Sequence, residues 1–175
     1  MNETTKEIEH YTILLENQME ILPENHSDIL ATMSTLAFTS NKMGHYEFAL
    51  ELYYKLLDIQ QTVNSNVDED VLRYMNNIAA TYYNLGRYDD ALQMYKETLE
   101  KSKELSSDEH RIVLYAKRGL AFTYKKLGEY EESMKLYEEI LKKQMKTLPE
   151  DHPDIQATKE TIAFLEKKLS ESAVA

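Results

Sequence analysis

Apolar residues recur along this chain with helical spacing, and the whole pattern repeats every 42 residues. Val71, Ile78 and Ala79 mark one face of a helix expected over 68–84. Ile29, Leu36 and Ala37 restate it over 26–42, Val113, Leu120 and Ala121 over 110–126, and Ile155, Ile162 and Ala163 over 152–169. A second helix type alternates with the first. Its face is Tyr46, Leu50, Tyr53 and Leu57 in 45–62, then Tyr88, Leu92, Tyr95 and Leu99 in 87–105, then Tyr130, Met134, Tyr137 and Leu141 in 129–147. Gly44, Gly86 and Gly128 fall between the two types, where a left-handed residue would stop the first helix.

The opening segment carries Ile8, Tyr11, Leu14, Leu15 and Met19. The second type has apolar residues 42 positions after the first four, so residues 1–22 read as a second helix without its first. Pro23 ends that helix and Asn25 is expected to cap the next. The expected fold is all-α: a right-handed α-solenoid of antiparallel helix pairs in a single domain, 1–175. It holds about eight helices, with full repeats at 26–62, 68–105 and 110–147 and half repeats at 1–22 and 152–169. The recurring Ala of the first helix implies close approach of a neighbour, where a larger side chain would cost about 1–3 kcal/mol. Ser170 stands where the other first helices have Gly. The closing helix, with Glu166, Lys167 and Lys168 outward, is expected to act as a solvating cap ending near 169, followed by a frayed tail.

Composition narrows the chemistry. Hydrophobic residues make up 42% and charged residues 29%, enough for a core with a solvated exterior. The chain has no Cys, which removes disulfides, thiolate zinc sites and a thiol nucleophile. A net charge of −11 disfavours nucleic acid, whose phosphates need a basic footprint. No apolar run reaches the roughly 18 residues of a membrane span, and the polar start, Met1 to Lys6, lacks a secretory apolar core. A cytoplasmic location without membrane contact is expected. His26, His110 and His152 are spaced by the repeat, so local helix capping is preferred over metal ligation. Adjacent acids such as Glu131-Glu132 and Glu138-Glu139 point apart on a helix and form no catalytic dyad. Neither a phosphate loop nor a nucleophile motif is present, so no enzyme, cofactor or metal is expected.

Gly86, Tyr88, Ala91 and Tyr95, with Ala79 on the preceding helix, make the chain resemble a tetratricopeptide repeat. The 42-residue period resembles the variant in kinesin light chain and nephrocystin-type proteins. So do the openings Pro149-Glu150-Asp151-His152-Pro153-Asp154-Ile155 and Leu22-Pro23-Glu24-Asn25-His26-Ser27-Asp28-Ile29, and so does Asn76-Asn77-Ile78-Ala79. Glu7 and Ser133 depart from the pattern at small-residue positions. The Lys/Asn/Arg clamp of the chaperone-tail-binding subtype would fall on Ser34, Phe38, Asn77, Tyr115 and Gly119, so only Asn77 fits.

The resemblance implies a protein-protein interaction scaffold whose first helices line a concave, peptide-binding groove. The positions it selects are Ala31, Ser34, Phe38, Asn41 and Lys42, then Arg73, Asn76, Ala80, Tyr83 and Asn84. They continue with Tyr115, Arg118, Phe122, Lys125 and Lys126, then Ala157, Glu160, Phe164, Lys167 and Lys168. Seven of these are basic and one is acidic, a net +6 stripe in a chain of net −11. Helix-end preference for cations accounts for the five lysines as well as a ligand would, but not for Arg73 or Arg118. Phe38, Phe122 and Phe164 suit an apolar anchor and equally suit packing on the adjacent repeat. Asn76 is the amide best placed for a peptide backbone. The expected partner is an acidic protein or peptide segment with an apolar anchor. The alternative is a structural segment of a longer array, forming homo-oligomers or stacking through its half-repeat ends.

Overall fold

The computed structural model describes residues 3–63, 68–103 and 111–172. All regular structure among them is helical. The elements are α1 (Glu3–Ile21), α2 (Ser27–Lys42), α3 (Tyr46–Val63), α4 (Glu69–Asn84), α5 (Tyr88–Ser102), α6 (Arg111–Leu127), α7 (Tyr130–Thr147) and α8 (Pro153–Ser172). This is the expected all-α solenoid class, built from helix pairs. The chain divides into two units, Met1–Asp108 with α1 to α5 and Glu109–Ala175 with α6 to α8. Within each unit, every helix packs on its neighbours in sequence.

The turns between paired helices follow from one residue. At Gly86 the backbone takes φ +77°, a conformation that costs a side-chain-bearing residue about 1 kcal/mol or more. That geometry lets Gly86 N–H reach the Tyr83 carbonyl at 3.0 Å and Arg87 N–H reach the Tyr82 carbonyl at 2.9 Å. The last carbonyls of α4 are thereby satisfied, and the chain reverses within three residues. Gly44 and Gly128 repeat the arrangement.

The helix starts bear out local capping by His26 and His152 and correct the expectation for Asn25. His26, not Asn25, caps α2: its Nδ1 accepts the Asp28 N–H at 3.2 Å. His152 does the same for Asp154 at 3.1 Å, at the head of α8. An imidazole nitrogen one residue later reaches the orphan N–H as well as an amide oxygen would. His110 lies outside the described residues. So do 104 and 105 at the expected end of α5. Asp68 caps α4 by accepting Val71 N–H at 2.9 Å, and is itself held by Gln60 at 2.7 Å.

In the first unit, Leu15, Ile29, Met33, Leu36, Ala37, Tyr53, Leu56 and Ile78 fuse into one core. In the second, Ala121, Tyr137, Ile140 and Leu165 do so. The recurring alanines Ala37, Ala79 and Ala121 are fully buried, whereas Ala163 is exposed. Each of the first three precedes a second helix that closes over it, and no described helix follows α8. Ser133 replaces the usual Ala and stays buried because its hydroxyl donates to the Ala121 carbonyl at 2.9 Å. Two boundary expectations change. Met19 remains 44% exposed and does not join the core. α8 runs through Ser170 to Ser172, since Ser, unlike Gly, has no preference for the left-handed stop.

Candidate functional site

The sequence stripe has two halves, one in each unit. In the first unit, α2 and α4 supply Phe38, Asn41, Lys42, Arg73, Asn76, Tyr83 and Asn84. Two of them, Asn41 and Asn84, are tied to each other. Asn41 donates to the Thr81 hydroxyl at 2.8 Å and accepts from Asn84 at 2.9 Å, tying α2 to α4. Thr81 in turn donates to the Asn77 carbonyl at 2.7 Å. Arg73 pairs with Asp70 one turn earlier and lies over the Tyr74 ring. Tyr83 is half-buried against Tyr88, ring centroids 5.3 Å apart; burial, then the Tyr88 hydroxyl, raises its hydroxyl above the ordinary value.

Asn76 is only 3% exposed. The expected contact of its amide with a peptide backbone is therefore not available in this packing. Asn76 lies beside the apolar Met75 and Ile78 on a strongly packed helix, and that burial outweighs the polarity of its side chain. Phe38 stands 61% exposed, and Lys42 is exposed as well.

In the second unit, α6 places Tyr115, Arg118, Phe122, Lys125 and Lys126 along one face, because spacings of three and four residues return to the same side of a helix. Tyr115 is 54% exposed and Phe122 41%. The Lys125 ammonium lies 4.6 Å from the Phe122 ring centre and 5.9 Å from that of Phe164 on α8. Attraction between a cation and the negative ring faces holds it there. Burial, then the charge of Lys126, lowers the Lys125 pKa below the ordinary lysine value. Phe122 also meets Tyr137 edge-on at 6.0 Å, so it both packs on α7 and shows a free flank.

Among the described residues, no carboxylate pairs with Arg118, Lys125 or Lys126. Lys167 and Lys168 differ: both approach Glu171, at 3.9 and 2.8 Å. Lys117, one position before Arg118, is drawn off the face to Glu139 on α7 at 2.7 Å. The arrangement can present the three cations Arg118, Lys125 and Lys126, without carboxylate partners among the described residues, beside two aromatic flanks.

The sequence did not single out a second cluster in the first unit. Tyr54 on α3 and Tyr82 on α4 share a hydrogen bond at 2.9 Å, Arg87 lies 4.5 Å from the Tyr82 ring centre, and Asp90 accepts from Arg87 at 2.7 Å. Burial first, then the bond to Tyr82, holds the Tyr54 hydroxyl well above its ordinary value. A recurring signal could not have found it, because Tyr54 and Arg87 do not recur 42 residues on. In the same unit, a cleft of about 360 Å³ is lined by Glu24, Asn25, Asp58, Ile59, Thr62 and Val63. No described helix is long and apolar enough to cross a membrane.

A family model for the tetratricopeptide repeat matches residues 28–104 and 70–146. Among solved structures, the chain is similar to nearly identical TPR-like repeats of a putative kinesin light chain from Podosopora anserina. The TM-score is 0.79 at 22% identity, covering 97% of this chain and 80% of that one. It is also similar to BtubC (BKLC) from P. vanneervenii, at 0.78 and 21%, covering 94% and 66%. A Rap protein complexed with competence and sporulation factor matches at 0.71 and 15%, covering 96% of this chain and 45% of that one. No curated protein matches in sequence.

Proposed function

The chain belongs to the tetratricopeptide repeat family, and from that premise we propose a non-catalytic scaffold that binds an acidic protein segment carrying an apolar anchor. The observation that carries this reading is the face of α6. Arg118, Lys125 and Lys126 stand there without carboxylate partners among the described residues, beside the exposed Phe122 and, across on α8, Phe164. In a chain of net −11, three unneutralised cations on one helix face focus attraction for negative charge. The ammonium of Lys125, already partly desolvated between two rings, loses little hydration on meeting a carboxylate. The free flanks of Phe122 and Phe164 offer apolar surface within reach of the same side chain.

Phe38, Lys42, Tyr83 and Asn84 belong to the proposed surface of the first unit, with Asn41 as a structural tie and Asn76 left out as buried. The location expected for such a scaffold is cytoplasmic, with neither nucleic acid nor membrane as partner.

Fluorescence anisotropy with a labelled acidic peptide containing one Leu or Phe tests the reading. Affinity should fall about tenfold or more from low to 0.5 M salt, because exposed charge pairs are screened over a few ångströms at that strength. The double reversal Lys125→Glu/Lys126→Glu should abolish binding while the far-ultraviolet circular dichroism stays helical. Unchanged affinity in that variant rules out the α6 face.

A further inference from the structure

The partner chemistry argued above is present on the protein itself. On α1, Glu9, Ile13, Glu16 and Glu20 follow the spacing i, i+4, i+7, i+11, which puts them on one helix face. All four are exposed, Ile13 by 52%. This face is opposite the one that packs on α2, where Leu15 is buried and Ile8 and Tyr11 are half-buried. None of its three carboxylates pairs with a described residue. On α6, Arg118, Phe122 and Lys125 follow i, i+4, i+7. The two series have the same spacing and opposite chemistry: acid, apolar, acid against cation, aromatic, cation.

We propose that the exposed face of α1 docks on the basic, aromatic face of α6 in a second copy of this chain, giving head-to-tail self-association. The inference rests on the acidic-segment reading of the α6 face and names its occupant. Seven residues of helix span about 10 Å, so Glu9 and Glu16 are separated by the same rise as Arg118 and Lys125. With the helices side by side and parallel, Glu9 meets Arg118, Ile13 meets Phe122, and Glu16 meets Lys125. Glu20 adds a fourth negative charge to the same stripe. The contact is heterologous: α1 of one copy meets α6 of the next, leaving each chain with one used and one open surface. Such contacts propagate unless they close into a ring. The carboxylates of α1 gain the counter-ions they lack among the described residues of their own chain, and Ile13 loses its exposure.

Sedimentation of the full chain at 50 mM and 500 mM salt reads the association directly. The wild-type mass should rise with concentration at low salt and return toward one chain at high salt. Glu16→Lys alone and Arg118→Glu alone should each stay at one chain. Mixed together, they should form a two-chain complex that grows no further, because only one intact α1 face and one intact α6 face remain. Ile13→Ser should weaken the wild-type association about tenfold or more while the helical signal is kept, as loss of a central apolar anchor does. A wild-type chain that stays monomeric at every concentration overturns the proposal. So does a Glu16→Lys variant that associates like wild type, or a mixture that fails to pair. The acidic-peptide reading is judged separately: Glu16→Lys should bind the labelled acidic peptide with undiminished affinity, and a monomeric wild type that still binds the peptide removes the self-association alone.

Discussion

Arg73 and Arg118 lie on helices of the same type, one in each unit, and meet opposite surroundings. Asp70 stands one turn before Arg73 and pairs with it. One turn before Arg118 stands Tyr115, which offers no carboxylate. The contrast extends along both faces. In the first unit Asn41, Thr81 and Asn84 satisfy one another across two helices, so the face is fastened to itself. In the second, Lys125 finds aromatic rings and a second lysine among the described residues. The same repeat position thus serves as an inter-helix tie in one unit and as an open charge in the other. Periodicity assigns the position, and the partners within reach assign the role.

The sharpest way to break that comparison is to reverse both arginines. Arg118→Glu should weaken acidic-peptide binding by about tenfold to a hundredfold, as loss of an interfacial charge pair does. Arg73→Glu, whose charge is already met by Asp70, should change it by less than about threefold. Equal losses in an anisotropy titration would show that the two faces act as one surface.

Packing offers a second contrast. Ala121→Leu should cost about 1–3 kcal/mol in urea denaturation, because the side chain enters a filled core. Ala163→Leu, at the same repeat position but exposed, should fall within about 0.5 kcal/mol of wild type. Asn41→Ala comes next: it removes two inter-helix hydrogen bonds and should destabilise by about 1 kcal/mol. Lys125→Ala should be near neutral in the same assay while weakening binding.

The smallest effect expected is with pH. Burial and Lys126 lower the Lys125 pKa, so the folded state disfavours its charged form. As pH rises toward and through that lowered value, the disfavoured charge is lost and stability increases slightly. Acidic-peptide affinity moves the other way, declining before the pH at which an ordinary lysine deprotonates. Lys125→Arg, which keeps its charge, should flatten the affinity profile. A profile unchanged by that substitution would separate Lys125 from binding.

Much of the architecture could be read in advance because it depends on local chemistry. Gly86 imposes the same turn wherever a helix must stop, and Tyr53, Ile78 and Ala79 are apolar or small at core spacing. The failures have equally local causes. His26 displaced Asn25 as cap because both stand near the α2 start and only the realised backbone decides which reaches the N–H. The repeat resemblance sets Asn76 on the open face, yet a helix packed on most of its circumference hides more than the apolar arc suggests. The stripe residues were found as a set, but their division into tied and untied members depends on contacts such as Asn41 with Asn84, 43 positions apart.

By itself the sequence determined the period, the helix types, the glycine stops and the charge imbalance, since each depends on residues within a turn or two of one another. The tertiary structure decided which of those charges remain open. Thr81 and Asn84 reach Asn41, and Glu139 draws Lys117 aside, whereas among the described residues no carboxylate approaches Arg118 or Lys125. A charge is neutralised by whatever folding brings within about 4 Å, and sequence spacing along one helix does not record what a neighbouring helix carries.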